Sequence, residues 1–320
     1  MSVASVGNGL GRARRGVAPG GAGRPSRGGS GPRISGRRLT LIAFAVPSLI
    51  LLVLLNLYPI AYAGSQTVHN GTLISDGDFV GFSNIVNVLT DPSFWHAALF
   101  TLIFTVVGVF GSWIVGLALA LLLRTRIPAG GVFKVLLLLP WVVPVVVSAT
   151  SWNWLVATPQ SPFPMLTNAL GWGNVLFLAD PTLAQITVCV FKVWISFPFM
   201  MMMMSSALAS VDTNVYEAAR VDGASGRQTF FGITLPLISR STYISWILMT
   251  IFCVNDFPTI FLLTGGGPAD ATTSLIVQSY RIAFAQYQTG PAAAIALLTT
   301  LTLIIVSVVL YRQIRKVDIE

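Results

Sequence analysis

The sequence predicts an all-α integral membrane protein with six transmembrane helices. Hydrophobic residues make up 54% of its 320 residues and charged residues only 9%, whereas soluble domains carry about a quarter charged residues. The apolar residues form six runs, each near or above the ~20 residues that a helix needs to cross a bilayer. Basic residues cluster on alternate connections between these runs. Helices are the expected form, because lipid offers no partner to an exposed backbone polar group.

The first 38 residues form a predicted disordered basic tail. They are rich in Gly, Ser, Pro and Arg, include eight arginines and show no hydrophobic periodicity. A secretory signal peptide fits poorly, because the tail is too long for the charged region that begins such peptides. The apolar run that follows is also long enough to span a membrane and is followed by further runs.

The predicted membrane domain covers residues 39–315 and is followed by a short tail at 316–320. Its spans are expected at residues 41–63, 97–123, 135–157, 184–208, 241–264 and 289–311. Pro140 and Pro144 should break the third helix locally, which membrane helices tolerate. Cys189 and Cys253 lie inside apolar runs, so we expect packing residues rather than a disulfide or a metal site.

The distribution of charge predicts the orientation in the membrane. Of the 19 basic residues, 17 lie in the tail, in or beside the connections after runs two and four, and at the C-terminus. The opposite connections hold Arg281 and the acidic residues Asp76, Asp78, Asp91, Asp180 and Asp270. The positive-inside rule therefore places both termini in the cytoplasm. The net charge of +8 is a topology signal, and nucleic acid is not an expected partner.

A polar segment at residues 211–238 interrupts the apolar sequence between the fourth and fifth runs. Asp212 or Thr213 can cap a first short helix, whose apolar stripe would be Val211, Val215 and Ala219. Gly223 is a natural left-handed cap at its end. Ser225 and Gln228 form a capping-box pattern for a second helix, which Pro236 should end, with Phe230 and Ile233 on one face.

Two interpretations of this polar segment remain open on physical grounds. It could simply connect two spans at the membrane surface. It is longer than a connector requires, however, and its predicted apolar face has no core of its own to cover it. The segment therefore favours a docking surface for a cytoplasmic protein.

The stretch "EAARVDGASGRQTFFGITLPL" resembles the EAA loop of the permease subunits of bacterial ABC importers. The matching residues are Glu217, Ala218, Ala219, Asp222, Gly223, Leu235 and Pro236. In that family the first helix of the loop is the coupling helix, which docks in a groove of a cytoplasmic ATPase. The resemblance therefore implies ATPase-coupling roles for Glu217, Ala218, Ala219, Asp222, Gly223 and Ala224. Our hypothesis for Glu217 is a charge at the helix start that interacts with the helix dipole and with groups of the partner.

Other stretches resemble the carbohydrate-importer branch of the same family. They are "FVGFSNIVNVLTDPSFWHAALFTLIFT", "LLPWVVP", "SWNW" and "LLTGGGPADATTSLIVQSYRIAF", and with the EAA loop they cover most of residues 40–315. Two positions depart from the family pattern. Gly232 stands where a basic residue commonly follows the loop's Phe, and Ser239 and Arg240 stand where a proline often occurs.

The resemblance implies a six-span, type I importer permease in the bacterial inner membrane that moves a sugar by alternating access. It implies a heterodimer with a second permease, a pair of ATPase subunits that bind ATP and Mg²⁺, and an extracytoplasmic solute-binding protein. This chain would bind no cofactor itself. An importer for a polar non-sugar solute, such as a glycerophosphodiester or polyamine, is the alternative. An ion-coupled secondary transporter fits less well, because intramembrane carboxylates are scarce.

An enzyme is not expected. The sequence has no Walker A motif, so ATP hydrolysis must come from a partner. His69 and His96 lie far apart in sequence, on or near connections predicted to be extracytoplasmic. Neither has Cys or carboxylate partners at ligand spacing. We interpret both as surface residues.

Charged residues inside spans are costly and therefore indicate functional candidates. Lys192 either lines the path or snorkels to the outer interface. Asp256, beside Asn255, lines the path, pairs across the subunit interface or has a structural hydrogen-bonding role. A Lys192–Asp256 pair is possible. Trp152, Trp154 and Trp194 could stack on a sugar ring or anchor span ends, and Met200–Met204 could repack during gating or fill gaps. The candidate translocation path thus comprises Asn255, Asp256, Lys192, Trp194 and Trp152.

Overall fold

The computed structural model describes residues 36–75, 77–125 and 130–317. Most of the predicted tail (residues 1–35), Asp76, Arg126 and residues 318–320 lie outside this range. The described part of the chain contains thirteen α-helices and one π-helical turn, and its only β-structure is two isolated bridges. The prediction of an all-α membrane protein is confirmed.

The α-helices lie in the following order: α1 (Gly36–Thr67), α2 (Ser83–Thr90), α3 (Pro92–Arg124), α4 (Gly130–Val142), α5 (Val145–Val156), α6 (Pro162–Ala169), α7 (Pro181–Ala209), α8 (Thr213–Val221), α9 (Gly226–Thr229), α10 (Leu235–Val254), α11 (Phe257–Thr264), α12 (Leu275–Phe284) and α13 (Thr289–Val317). The π-turn, Phe230–Thr234, joins α9 to α10. The chain forms two units, residues 1–55 and 56–320. The described part of the first is the beginning of α1, and the second contains every other helix.

Five helical stretches in the described residues are long and apolar enough to cross a membrane, and a sixth crossing arises if α4 and α5 count as one broken span. These two helices meet at an angle of 92°. The break falls at Val143 and Pro144, with Pro144 preceding the first residue of α5. The predicted break therefore agrees with the structure at Pro144, although the bend is sharper than a local kink. The prediction is wrong for Pro140, which lies inside α4 and does not interrupt it.

The fifth run is not a single span of residues 241–264. A continuous helical stretch runs over Gly226–Val254, and the chain then breaks at Asn255 and Asp256 before α11 begins. Asp256 caps α11 by accepting a hydrogen bond from the Thr259 backbone N–H at 3.1 Å. Pro258 at the start of α11 has no N–H to donate to a preceding turn. Both features favour a new helix over continuation of the old one.

The core of the second unit is the parallel pair α3 and α7, which pack closely through glycines. An added Cβ at Gly108 would lie 3.1 Å from Lys192 Cγ, and one at Gly111 would lie 2.7 Å from Val193 Cγ2. At Gly116 it would lie 2.6 Å from the Met201 backbone nitrogen. Small residues allow membrane helices to approach in this way, where packing must replace the hydrophobic effect.

Gly116→Ala is expected to destabilise the protein by about 1–3 kcal/mol, the usual cost of overpacking, because a neighbouring backbone cannot move aside as a side chain can. The measurement is the thermal unfolding of the detergent-purified chain. Gly64→Ala is the matched control, since a Cβ at that helical glycine meets no atom within 4 Å. Equal unfolding temperatures for Gly116→Ala and the wild type would contradict close α3–α7 packing.

The two ends of this bundle differ in charge. Helices α3 and α7 both end, and α10 begins, at the end where α8 lies; we call it the α8 end. Arg124 and Lys134 lie there and line a cleft together with Val211 and Thr213. At the opposite end, Asp91, Asp270 and Arg281 line a second polar cavity. The basic and acidic connections that alternate along the sequence thus lie at opposite ends of the fold.

Candidate functional site

The polar segment folds as a capped helix, a sharp elbow and a second helix. Asp212 caps α8 by accepting a hydrogen bond from the Asn214 backbone N–H at 2.9 Å. This capping residue is one of the two that the sequence proposed. The N-terminal turn of α8 contains no acidic residue, and Glu217 lies in its second turn. The hypothesis that Glu217 interacts with the helix dipole from the helix start is therefore wrong, because the charge lies beyond the first turn where that effect acts.

Gly223 forms the elbow in a left-handed conformation, with φ of +76°. Its N–H donates to the Arg220 carbonyl at 3.2 Å, and the N–H of Ala224 donates to the Ala219 carbonyl at 2.9 Å. This pair of bonds is the Schellman motif, which satisfies carbonyls at the end of a helix and favours glycine. The sequence-based prediction of a left-handed cap at Gly223 therefore agrees with the structure.

The second helix begins with the predicted capping box. The Ser225 backbone N–H donates to Gln228 Oε1 at 2.8 Å, and the Gln228 backbone N–H donates to Ser225 Oγ at 3.4 Å. The prediction that Pro236 ends this helix is wrong, because the chain remains helical from Gly226 to Val254. The π-turn explains the difference: the Leu235 N–H bonds to the Phe230 carbonyl. The wider turn accommodates proline where an α-helix interior would clash.

The structure changes which apolar residues face outward. Ala219 is buried and Val211 packs against the cluster around Met204 and Leu208, so the predicted stripe is covered in part by the chain itself. Val215, the third member of the stripe, is 38% exposed, but the most exposed apolar side chains of the segment are Val221, 87% exposed, and Phe231, 59% exposed. Sequence reasoning missed both, because helical periodicity alone does not reveal which side of a short helix meets the bundle.

Most of the predicted coupling residues share one exposed surface at the elbow. Glu217, Ala218, Asp222 and Gly223 are exposed, and Ala224 is half-buried. Ala219 differs, since its side chain is buried toward the chain. The elbow therefore presents small and acidic residues on a backbone held by caps at both of its helices. Such a surface suits close contact with another protein.

The second candidate site is a buried ion pair between spans. Lys192 Nζ on α7 lies 2.7 Å from Asp256 Oδ2, and the two side chains are only 7% and 8% exposed. Lys192 Nζ also lies 5.8 Å from the centre of the Phe104 ring. The possible pair is thus formed, and Lys192 does not snorkel to the surface. Gly108 makes room for it, since an added Cβ would lie 3.1 Å from Lys192 Cγ. No local pattern in the sequence indicates this role of Gly108.

The two helix breaks meet at this ion pair. A cavity of about 280 Å³ is lined by residues from both, namely Trp141, Val143, Val145, Lys192, Ile195, Ser196, Phe252, Asn255, Asp256, Pro258 and Thr259. Ser196 Oγ and Thr259 Oγ1 are buried without a hydrogen-bond partner among the described residues. Broken helices and unpaired polar groups deep in a membrane protein are typical of a place where a polar solute passes.

The predicted tryptophans lie in a neighbouring cavity. Trp152 and Trp194 contact each other with ring centres 5.4 Å apart, and both line an apolar cavity of about 420 Å³ together with Ser148 and Ser151. Val143 borders both cavities. The structure therefore brings Asn255, Asp256 and Lys192 together but places Trp152 and Trp194 in the neighbouring cavity. Trp154 is exposed.

The remaining candidates have ordinary structural surroundings. Within the run Met200–Met204, Met200, Met201 and Met204 are fully buried and fill gaps between helices, as one of the two interpretations proposed, whereas Met202 is 37% exposed. Cys189 and Cys253 are free and buried. His96 is exposed and His69 bonds through Nδ1 to the Ser65 carbonyl. Within the described residues, no group of three or more His, Cys, Asp or Glu side chains could hold a metal ion.

Comparison with known proteins identifies the family of the chain. Residues 27–318 match the family described as "Binding-protein-dependent transport system inner membrane component". The chain belongs to this family. It is therefore a multi-pass inner membrane permease of a binding-protein-dependent transport system, and the resemblance carried by the EAA loop is confirmed.

Individual relatives of this permease cover most of its length. The trehalose/maltose transport system permease protein MalF of Thermococcus litoralis is 34% identical over 73% of this chain and 78% of its own. The sulfoquinovosyl glycerol transport system permease protein SmoG of Agrobacterium fabrum is 30% identical over 88% and 92%. A crystal structure of a bacterial ABC transporter involved in the import of the acidic polysaccharide alginate shares the fold, with a TM-score of 0.77, 19% identity and coverage of 88% and 96%.

Proposed function

We propose that this permease imports a sugar by alternating access, driven by a cytoplasmic ATPase that docks on the α8 elbow. The observation that carries the proposal is the elbow itself, which presents Glu217, Ala218, Asp222 and Gly223 to solvent on a capped, positive-φ turn. A rigid, exposed turn transmits force, whereas a loose connector would absorb it. The chain would bind neither ATP nor Mg²⁺, which belong to the partner.

The α8 end faces the cytoplasm in this proposal, and so do both termini. Support comes from Arg124, Lys134 and the basic residues of the polar segment, which lie at that end, whereas Asp91 and Asp270 lie at the other. Basic residues are retained on the cytoplasmic side of membrane proteins. The opposite end, with the compact turn around Asp270, then faces a solute-binding protein.

A continuous helix connects the proposed docking site to the cavity. The stretch Gly226–Val254 begins directly after the elbow and ends directly before Asn255 and Asp256. At 1.5 Å per residue it is roughly 40 Å long. Movement of the elbow when the ATPase closes would therefore move the α10–α11 break against Lys192 on α7. This is how ATP binding in the partner would change access to the cavity from one side to the other.

A sugar is the solute class that the cavity and the relatives support together. Two relatives are permeases for trehalose/maltose and for sulfoquinovosyl glycerol by name. The cavity offers Asn255, the Lys192–Asp256 pair and the unpaired hydroxyls of Ser196 and Thr259, which suit the hydroxyl groups of a sugar. Trp141 and Phe252 at its border are exposed, so a second, different permease would close its open side.

Charge reversal at the elbow tests the ATPase contact. The transporter is purified in mild detergent from membranes that contain its partners, and the bound ATPase is quantified. We expect Glu217→Lys to reduce the bound ATPase several-fold, because it reverses an exposed charge at the proposed contact. Asp78→Lys, an exposed acid on the opposite end, is the matched control and should retain it. If Glu217→Lys and variants of the neighbouring elbow residues all bound as much ATPase as the wild type, this docking site would be excluded.

Uptake into proteoliposomes tests the solute class and the energy source. The complex with its binding protein is expected to accumulate a labelled disaccharide or oligosaccharide only when ATP is enclosed with the ATPase. Accumulation of a glycerophosphodiester or polyamine in place of the sugar would favour the alternative importer. Uptake driven by an ion gradient without ATP would instead indicate a secondary transporter.

A further inference from the structure

A cleft at the α8 end is not used by the proposed docking or transport steps. Its volume is about 650 Å³, and it lies between the ends of α3 and α7, the beginning of α4 and the residues that lead into α8. Its apolar part includes Ala120, Leu123 and Leu208, and its polar part includes Arg124 and Lys134. We refer to it as the basic cleft.

Among the residues that the structure describes, the two cations of the basic cleft have no acidic partner. Neither Arg124 nor Lys134 forms an ion pair with a residue in the described ranges. The Arg124 guanidinium instead stacks over the Tyr216 ring, 4.5 Å from its centre. Two like charges that border one cleft repel each other, so an anion between them would be stabilised. A zwitterionic or cationic group would gain little there.

The surroundings of the cleft identify the kind of anion. On either side of Lys134 in the sequence, α4 has four exposed apolar side chains: Val132, Phe133, Val135 and Leu136. Such a surface suits the acyl chains of a lipid. The cleft thus combines an apolar floor, two cations and an adjoining lipid-facing helix. A ligand with a phosphate group on apolar chains satisfies all three features, whereas a soluble anion satisfies only one.

We propose that the basic cleft binds the phosphate headgroup of an anionic phospholipid from the cytoplasmic leaflet. The assignment to that leaflet rests on the orientation in the proposed function. Anionic lipids attract basic residues at this membrane surface. The headgroup bridges α3 to α4 through Arg124 and Lys134. Because Arg124 also stacks on Tyr216, the residue before Glu217, the lipid stabilises the position of α8 and favours productive docking of the ATPase.

Lipid retention measures this site directly. The full chain is reconstituted in nanodiscs of phosphatidylcholine with phosphatidylglycerol, released into mild detergent and analysed by native mass spectrometry. We expect the wild type to retain phosphatidylglycerol in preference to phosphatidylcholine. Arg124→Gln/Lys134→Gln should weaken that retention by about thirtyfold, the factor expected for losing two basic residues near an anionic surface. Arg312→Gln, an exposed cation on α13 outside the cleft, is the matched control and should retain the lipid.

Several outcomes would overturn the assignment. If the double variant retained as much phosphatidylglycerol as the wild type, the basic cleft would not be the lipid site. If the wild type retained both lipids equally, the cleft would be an apolar packing surface without preference for an anion. Displacement by soluble glycerol phosphate at concentrations that match the lipid would indicate a soluble anion as the ligand. Lipid retention is measured without the ATPase and without transport. Failure of the proposed function would therefore appear separately, in the experiment that quantifies the ATPase bound to Glu217→Lys.

Discussion

Lys192→Met is expected to destabilise the permease by about 3–5 kcal/mol, the cost of leaving one member of a buried ion pair without its partner. The variant leaves the Asp256 carboxylate, 8% exposed, with the Thr259 backbone N–H as its remaining hydrogen-bond donor among the described residues. Thermal unfolding in detergent measures the loss, and uptake into proteoliposomes should fall with it. An unfolding temperature equal to that of the wild type would show that the pair is not buried in the assembled transporter.

The double variant Lys192→Met/Asp256→Asn separates a structural role from a role in transport. It removes both charges, and an Asn at position 256 can still accept the hydrogen bond that caps α11. Stability should return to near the wild-type value, because a buried pair often contributes little beyond an uncharged replacement. We expect uptake to remain low, since the cavity has lost its charged wall. Recovery of both stability and uptake would assign the pair to packing alone.

This ion pair also marks a limit of prediction from sequence. The sequence identifies each of the two residues as a candidate, because a charge inside an apolar run is energetically costly and therefore indicates a function. It does not identify their contact, because 64 residues separate them and their registers depend on tertiary packing. Lys192 reaches Asp256 because Gly108 leaves space on α3 and because the chain breaks where Asp256 begins α11. Neither condition follows from local patterns.

The polar segment shows the opposite case, where local chemistry determines most of the structure. The hydrogen bonds at Asp212, Gly223 and Ser225 all join residues within five positions of one another, so the sequence contains both partners. The prediction failed at Pro236, where the π-turn absorbs the missing donor, and at the apolar stripe, where packing against the bundle decides exposure. Local rules thus predict the caps and the elbow but not how the segment joins the membrane domain.

The membrane spans also combine features that the sequence predicts with features that it does not predict. Hydropathy identifies the apolar runs, and Pro144 identifies the break between α4 and α5. The break at Asn255 does not follow from the sequence, because a carboxylate in an apolar run indicates a functional site as readily as a helix cap. Hydropathy also places the start of the fifth helix too late: helix formation begins at Gly226, in a polar stretch outside the expected span. The cavity lies where the two helix breaks meet, so the sequence does not predict it without both of them.

Gly223→Val is expected to reduce ATP-driven uptake at least tenfold while leaving the membrane domain folded. An added Cβ meets no atom within 4 Å, so the variant introduces no clash with neighbours. The cost arises from the backbone, because a β-branched residue does not adopt a φ of +76° without strain. The Schellman bonds to Arg220 and Ala219 should then open, and α8 should lose its fixed angle to the Gly226–Val254 helix.

Gly223→Asn provides the matched control, because asparagine tolerates the left-handed conformation better than other residues with side chains. It adds a polar side chain at the same exposed position, so a surface effect would impair both variants equally. We expect Asn to retain most of the uptake and of the stimulation of the ATPase, and Val to lose both. Similar activity of Val and Asn would mean that the elbow transmits no force through its backbone. The ATPase would then act on the permease through side-chain contacts alone, and the exposed Val221 and Phe231 would be the next positions to test.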